Sequence, residues 1–99
     1  MYAVIFKAKT GNQDAHYSEM VALMRDLAFD KYNCRDFIAV TEGSQEIAIS
    51  YWDNEEDIRR WHLDSQHSIA QSLGREKWYS SYVVEVVEIK RKYTFGESV

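Results

Sequence analysis

The chain has 99 residues, of which 45% are hydrophobic and 14% aromatic. This is ample for one packed core, leaves no room for a second, and excludes a disordered chain. The net charge of −4 argues against nucleic acid as a partner, because phosphate binding needs a concentrated basic surface. We therefore expect a single domain over residues 1–99.

Neither a membrane span nor a signal peptide is predicted. The N-terminal apolar stretch Tyr2–Phe6 is short and is followed by charge, and no other segment approaches the length of a span. Cys34 is the only cysteine, so no internal disulfide can form and the expected location is the reducing cytoplasm. A reactive thiol is possible at Cys34, but a thiol without a function is the favoured interpretation.

The first half of the chain predicts a strand and a helix. Tyr2–Lys9 is rich in strand-forming residues and ends at a turn around Gly11. Asn12 or Asp14 is the candidate cap of the helix that follows. Its apolar residues recur at helical spacing: Tyr17, Met20, Val21, Met24, Leu27 and Ala28.

Two further strands and a second helix come next. Asp36–Gly43 and Gln45–Trp52 predict a hairpin that turns at Gly43-Ser44. Asp53 and Glu56 then form a capping-box arrangement before a helix whose face carries Ile58, Trp61 and His62. We expect this helix to weaken near Ser65 and to end near Gly74.

A long last strand, from Trp78 to about Phe95, completes the order β-α-β-β-α-β. This order predicts an α+β, ferredoxin-like fold in which an antiparallel sheet carries both helices on one face. Alternate residues of the strands are apolar on both faces of the sheet, although a face exposed to water should be polar. We therefore expect a homodimer formed through the sheets, with the long last strand able to cross to the partner.

The segment Ser50–Phe95 resembles the antibiotic biosynthesis monooxygenase family, whose members have a ferredoxin-like fold and form dimers through their sheets. The helix SIAQSLGRE is part of the resemblance, and an aromatic strand follows it. The residues that carry the resemblance are Trp52, Trp61, His67, Trp78, Tyr79 and Tyr82. The first half of the chain matches mainly by its pattern of elements.

The resemblance implies a small monooxygenase that oxidises an aromatic or quinone-like compound without metal or flavin. Family members that degrade haem suggest an alternative in which His67 ligates the haem iron. In those proteins an Asn on a strand helps to position the haem-bound oxygen, and the strands predicted here contain none. A non-catalytic dimer that binds a small molecule or a protein is the third hypothesis.

The candidate catalytic residues are His67, as the base, and Trp61, as a wall of the pocket. A histidine that only caps the second part of the helix explains His67 equally well. Candidate substrate-binding residues are Trp52, Trp78, Tyr82 and Arg75, although packing in the core is the favoured interpretation for any single aromatic ring and a surface ion pair for Arg75. No metal is expected, because His62 and His67 lie five residues apart and do not share a helix face.

Overall fold

The computed structural model describes residues 1–13, 15–71 and 78–97, and the side chains of residues 67–71 lie outside that description. The elements are β1 (Tyr2–Thr10), α1 (Ala15–Asp30), β2 (Asp36–Glu42), β3 (Gln45–Trp52), α2 (Glu55–Gln71) and β4 (Tyr79–Glu88). Their order confirms the predicted α+β, ferredoxin-like fold. Neither helix is long and apolar enough within the described residues to cross a membrane.

The four described strands form one antiparallel sheet in the order β2-β3-β1-β4. The central strand β1 places Val4 opposite Ser50 of β3 and Val86 of β4. Side chains alternate between the two faces of a strand, so the even-numbered residues of β1 share one face. Val4 packs there against Ala28 of α1 and Ile58 of α2, which puts both helices on that face.

The predicted hairpin between β2 and β3 is confirmed. Glu42 pairs with Gln45 across a two-residue turn whose first residue, Gly43, has a φ of 60°. Glycine at that position is the requirement of the type II′ turn, whose twist matches that of the flanking strands.

The end of α1 depends on one left-handed residue. Asn33 has a φ of 64°, a conformation that asparagine tolerates better than most residues. The chain turns there, and the Cys34 amide donates to the Ala28 carbonyl at 2.8 Å. A side-chain bond from Tyr32 to Asp64, also 2.8 Å, then ties this turn to α2.

The expected start of α2 was wrong by one residue. Asn54 is the cap, since its Oδ1 accepts from the Asp57 amide at 2.9 Å, which satisfies a free amide of the first turn. Asp53 pairs instead with Arg35 at 3.1 Å. Of the other predicted boundaries, the candidate cap Asp14 and the helix end near Gly74 lie outside the described residues.

The expected weakening of α2 near Ser65 was also wrong, since the helix is continuous from Glu55 to Gln71. Ser65 lies seven residues after Ile58 and four after Trp61, so the three side chains share one face. Ser65 and Ile58 are buried and Trp61 is half-buried. Continued packing of this face outweighs the low helix propensity of serine.

The last strand is shorter than predicted, because β4 ends at Glu88 and not near Phe95. Glu88 faces Tyr2, the first residue of β1, and the last bond of this pairing runs from the Ile89 amide to the Met1 carbonyl at 2.9 Å. None of the described residues after Glu88 belongs to a strand. The side chains of Tyr93 and Phe95 are 85% and 101% exposed.

The core consists of two clusters between the sheet and the helices. The first surrounds Trp52, which is fully buried and donates through Nε1 to Ser50 Oγ at 2.8 Å. The second surrounds Trp78, whose ring contacts Tyr17 of α1 edge-on at a centroid distance of 5.5 Å. The two clusters lie at opposite ends of the sheet and leave space between them.

Candidate functional site

A cavity of about 100 Å³ fills the space between the two core clusters. Its roof comes from both helices and its floor from all four described strands. The residues that line it are Val4, Phe6, Val21, Met24, Phe37, Ala39, Glu46, Ala48, Ser50, Trp61, His62, Ser65, Gln66, Tyr79, Tyr82 and Val84. Most of this lining is apolar, and polar atoms are confined to a few positions.

The cavity exists because the floor of the sheet carries small side chains at its middle. Ala39 of β2 pairs directly with Ala48 of β3, and Ser50 follows two residues later on the same face. Two alanines side by side leave a depression that the neighbouring aromatic rings do not fill. The volume is therefore a consequence of sequence and register.

Aromatic side chains form the walls. Trp61 of α2 lies with its ring 6.2 Å from that of Phe37 and 5.3 Å from that of Trp52. Its Nε1 donates to the Met24 carbonyl of α1 at 2.9 Å. This bond fixes the indole plane and occupies its only donor, so Trp61 can act as a wall and a stacking surface but cannot donate to a ligand.

Carboxylate and phenol groups form a polar corner of the cavity. Tyr17 of α1 donates through its hydroxyl to Glu46 Oε1 of β3 at 2.7 Å. Burial, followed by hydrogen bonds with Glu46 and Tyr79, raises the pKa of Tyr17 above its ordinary value. Burial likewise raises the pKa of Tyr79, to about 12. Both phenols are therefore neutral at physiological pH, and Glu46 is the cavity's only described carboxylate.

Two oxygens in the lining have no hydrogen-bond partner among the described residues. Glu46 Oε2 is buried, although Oε1 of the same carboxylate is bonded, and Ser65 Oγ is buried on α2. Ser65 as a whole is 6% exposed. Serine within a helix commonly bonds the carbonyl four residues before it, and Ser65 does not.

The candidate residues from the sequence are divided between the cavity and the core. Trp61 and Tyr82 line the cavity. Trp52 and Trp78 are buried in the two core clusters and are not part of its lining. Arg75 lies outside the described residues, as does the side chain of His67, whose backbone belongs to α2. The roles of all these residues in binding or catalysis stay predictions.

Sequence reasoning missed Glu46, Ser65 and Tyr17 as members of the site. A signal for Glu46 was present, because it shares the strand parity of Ser50 and Trp52 and is therefore a carboxylate on the face that packs under the helices. Tyr17 and Ser65 carried no comparable signal. Both fit ordinary helix positions, and only the tertiary structure brings Ser65 into the lining and Tyr17 into contact with Glu46.

The remaining polar candidates do not form a second site. Asp64 accepts from Tyr32, and no group of three or more His, Cys, Asp or Glu among the described residues could hold a metal ion. Cys34 is buried, and its burial raises the pKa of the thiol, which disfavours the reactive thiolate.

Solved structures share this fold at low sequence identity. SnoaB, a cofactor-independent oxygenase from Streptomyces nogalater, superposes with a TM-score of 0.72 and 10% identity over 92% of this chain and 94% of its own. An antibiotic biosynthesis monooxygenase superposes with a TM-score of 0.61 and 11% identity, over 92% and 100%. MhuD, crystallised with manganese protoporphyrin IX, gives 0.54 and 13% over 94% and 99%.

The fold is thus that of the antibiotic biosynthesis monooxygenases, as the resemblance in the sequence predicted. No family model matches the sequence. The uncharacterized protein YqjZ of Bacillus subtilis is 35% identical over 98 residues, which cover 98% of this chain and 86% of YqjZ. The chain belongs to the same family as YqjZ.

The polar corner predicts a delayed ionisation of two tyrosines. An unfolded chain loses both phenolic protons near pH 10, whereas the folded chain keeps that of Tyr79 to about pH 12 and that of Tyr17 to higher pH. The folded state binds more protons above pH 10, so the free energy of unfolding should fall as the pH rises from 10 to 12. Ultraviolet absorbance of tyrosinate, measured against pH, should show a late step that Tyr79→Phe reduces.

Tyr93→Phe is the matched control, because it removes an exposed phenol outside the polar corner and should leave the late step unchanged. A titration without a late step, or a late step that Tyr79→Phe leaves unchanged, would contradict the described environment of Tyr79.

Proposed function

We propose that this protein is a cofactor-independent monooxygenase that oxidises a small aromatic or quinone-like compound in the cavity between the helices and the sheet. The observation that carries the proposal is a mostly apolar cavity with aromatic walls and a few polar atoms. Flat aromatic ligands stack on such walls and take their orientation from such polar groups. The shared fold with SnoaB, an oxygenase without a cofactor, supports the same class of reaction.

In this chemistry the protein has a limited task. A base removes a proton from the substrate, the resulting anion gives an electron to dioxygen, and the two radicals combine. One oxygen atom of dioxygen stays on the substrate. The other combines with two hydrogens from the substrate and leaves as water. His67 is the proposed base. Trp61 and Tyr82 would hold the ring and exclude water from the reactive anion.

Access to the cavity would run between α2 and β4. An open groove lies there, and it shares Trp61, His62 and Val84 with the cavity lining. The exposed side chain of His62 lies where the two meet. A cavity of about 150 Å³ is known to hold benzene. Since the cavity here is about 100 Å³, binding of one aromatic ring requires movement of its lining.

Filling the cavity should abolish turnover. Ala48→Leu adds three carbon atoms to the floor, and we expect oxygen uptake with the best substrate of a quinol panel to fall about 100-fold, as misplacement by an ångström does. Ala22→Leu is the matched control, because Ala22 is exposed on α1 and outside the lining.

Replacing the proposed base should also slow the reaction. His67→Gln should lower the rate of oxygen uptake about 100-fold, which is a usual contribution of a general base.

Quinol-dependent uptake that survives Ala48→Leu in a folded protein would remove the cavity from the reaction. Uptake that survives His67→Gln would refute only the assignment of His67 as the base. If no quinol supports uptake but aromatic compounds still bind, the protein is the non-catalytic binding dimer of the third hypothesis.

Haem binding through His67 is the second candidate, and the described cavity does not fit it. A haem is several times the size of benzene, and the available volume of about 100 Å³ is smaller than a cavity of about 150 Å³ that is known to hold benzene. The strands also offer no asparagine that could assist a haem-bound ligand. The superposition on MhuD is an observation on fold alone.

A haem titration separates the two candidates. We expect the Soret band of added haem to show no saturable shift with the wild-type protein. A saturable shift at one haem per chain that His67→Ala abolishes, followed by loss of the Soret band on reduction in air, would instead establish haem degradation.

We further propose that the protein acts as a homodimer formed through the sheet face without helices. The register places Ile5, Ile49 and Ile38 in one row across three strands of that face, and Ile38 is 50% exposed. Water-facing isoleucines in a row favour coverage by a second, identical sheet. The exposed Tyr93 and Phe95, which follow β4 without pairing to β1, would extend this contact.

A charge at the centre of this face should dissociate the dimer. The wild-type protein should sediment at twice the 11.7 kDa chain mass, and Ile49→Lys near 11.7 kDa, since an unpaired buried charge is strongly unfavourable. Leu63→Lys is the control, because Leu63 is 63% exposed on α2, away from the sheet. A wild-type mass near that of one chain at micromolar concentration would end the dimer proposal.

A further inference from the structure

The lining of the cavity contains more hydrogen-bonding capacity than the described residues use. Glu46 Oε1 accepts from Tyr17, but Glu46 Oε2 is buried without a partner among the described residues. Ser65 Oγ, on α2, is in the same condition. Both residues line the same cavity and reach it from opposite sides, the sheet and the helix layer.

Leaving such groups unpaired is unfavourable for folding. A buried polar atom without a partner commonly destabilises a protein by about 1–3 kcal/mol, and a charged one by more. Tyr17 does not relieve Oε2, because its hydroxyl proton goes to Oε1. The carboxylate therefore has an acceptor oxygen available in a mostly apolar cavity, which suits a hydrogen-bond donor.

Serine adds the complementary capacity. Its hydroxyl both donates and accepts, whereas an ionised carboxylate only accepts. A ligand hydroxyl that donates its proton to Glu46 retains lone pairs that Ser65 can donate to. An apolar ligand forms no hydrogen bond with either residue. When such a ligand is bound, Glu46 Oε2 is still removed from water without a donor, which is unfavourable.

We propose that Glu46 and Ser65 recognise a hydroxyl group of the aromatic ligand and thereby select phenols and quinols over hydrocarbons of the same shape. This assignment depends on the proposed function in one respect only, because both use the same cavity as the ligand site. Glu46 is a specificity residue here and not the base, whose proposed position is His67. Tyr17 is a positioning residue, because it holds the carboxylate through Oε1.

Phenol and toluene provide the test, since they have nearly the same shape and differ in the hydroxyl. Dissociation constants are measured by NMR titration of the full chain, with shifts at the lining residues as the readout of the site. We expect the wild-type protein to bind phenol more tightly, although toluene is the more apolar. The ratio of the two constants should fall about tenfold in Glu46→Gln, in which an acceptor oxygen becomes a donor, and several-fold in Ser65→Ala.

The control is Glu42→Gln, a matched change at an exposed position of β2 that should leave the ratio unchanged. If Glu46→Gln does not fold, the wild-type ratio and Ser65→Ala still decide the question. The proposal is overturned if toluene binds as tightly as phenol, if neither compound binds, or if the preference persists in the folded variants. Equal binding would mean that water satisfies both oxygens.

Oxygen uptake distinguishes this inference from the proposed function. If quinols support oxygen uptake but Glu46→Gln leaves the ratio of the phenol and toluene dissociation constants unchanged, the monooxygenase proposal stands and the role of Glu46 is refuted. A changed ratio without uptake for any quinol would leave hydroxyl recognition and remove the reaction.

Discussion

The pairing of β1 with β3 on one side and β4 on the other determines the rest of the structure. Because β1 is central, its alternation decides which side chains of three strands face the helices. Because Val4 lies opposite Ser50, the face of β3 that contains Trp52 and Glu46 is the one that α1 and α2 cover. A shift by one residue would move the isoleucines inward and expose the tryptophan.

This register explains why the core has a cavity and why the cavity does not collapse. The small floor of Ala39 and Ala48 lies between two aromatic clusters, and the nearest large rings are held away by their own hydrogen bonds. Trp52 bonds to Ser50, and Trp61 bonds to the Met24 carbonyl. Either indole would have to leave a buried bond to fill the space, which opposes the gain in packing.

The order of elements, the hairpin and the apolar character of both sheet faces could be predicted from the sequence, because they depend on local patterns. Gly43 shows this, since a turn that needs positive φ is recognisable from two residues. The end of β4 could not be predicted in this way. The segment after Glu88 has strand-like composition, but the pairing of β4 ends where Glu88 faces Tyr2, and this register depends on a segment almost ninety residues away.

The cavity illustrates the same difference. Aromatic residues near the helix-to-strand junction indicated a pocket, but the sequence could not separate Trp61, which lines it, from Trp52, which packs beside it in the core. Both are tryptophans on buried faces. The distinction arises from the empty space above Ala48, which depends on three strands at once.

The position of Glu46 gives the cavity a direction. Glu46 lies four residues before Ser50 on β3, so the two are about 13 Å apart along the strand. Trp61 lies near the Ser50 end, where its ring contacts Trp52 and the groove beside β4 begins. The cavity therefore has aromatic walls, and its only described carboxylate lies away from the end where Trp61 contacts Trp52. If a ligand hydroxyl binds at Glu46, as we propose, the ring of that ligand extends toward Trp61.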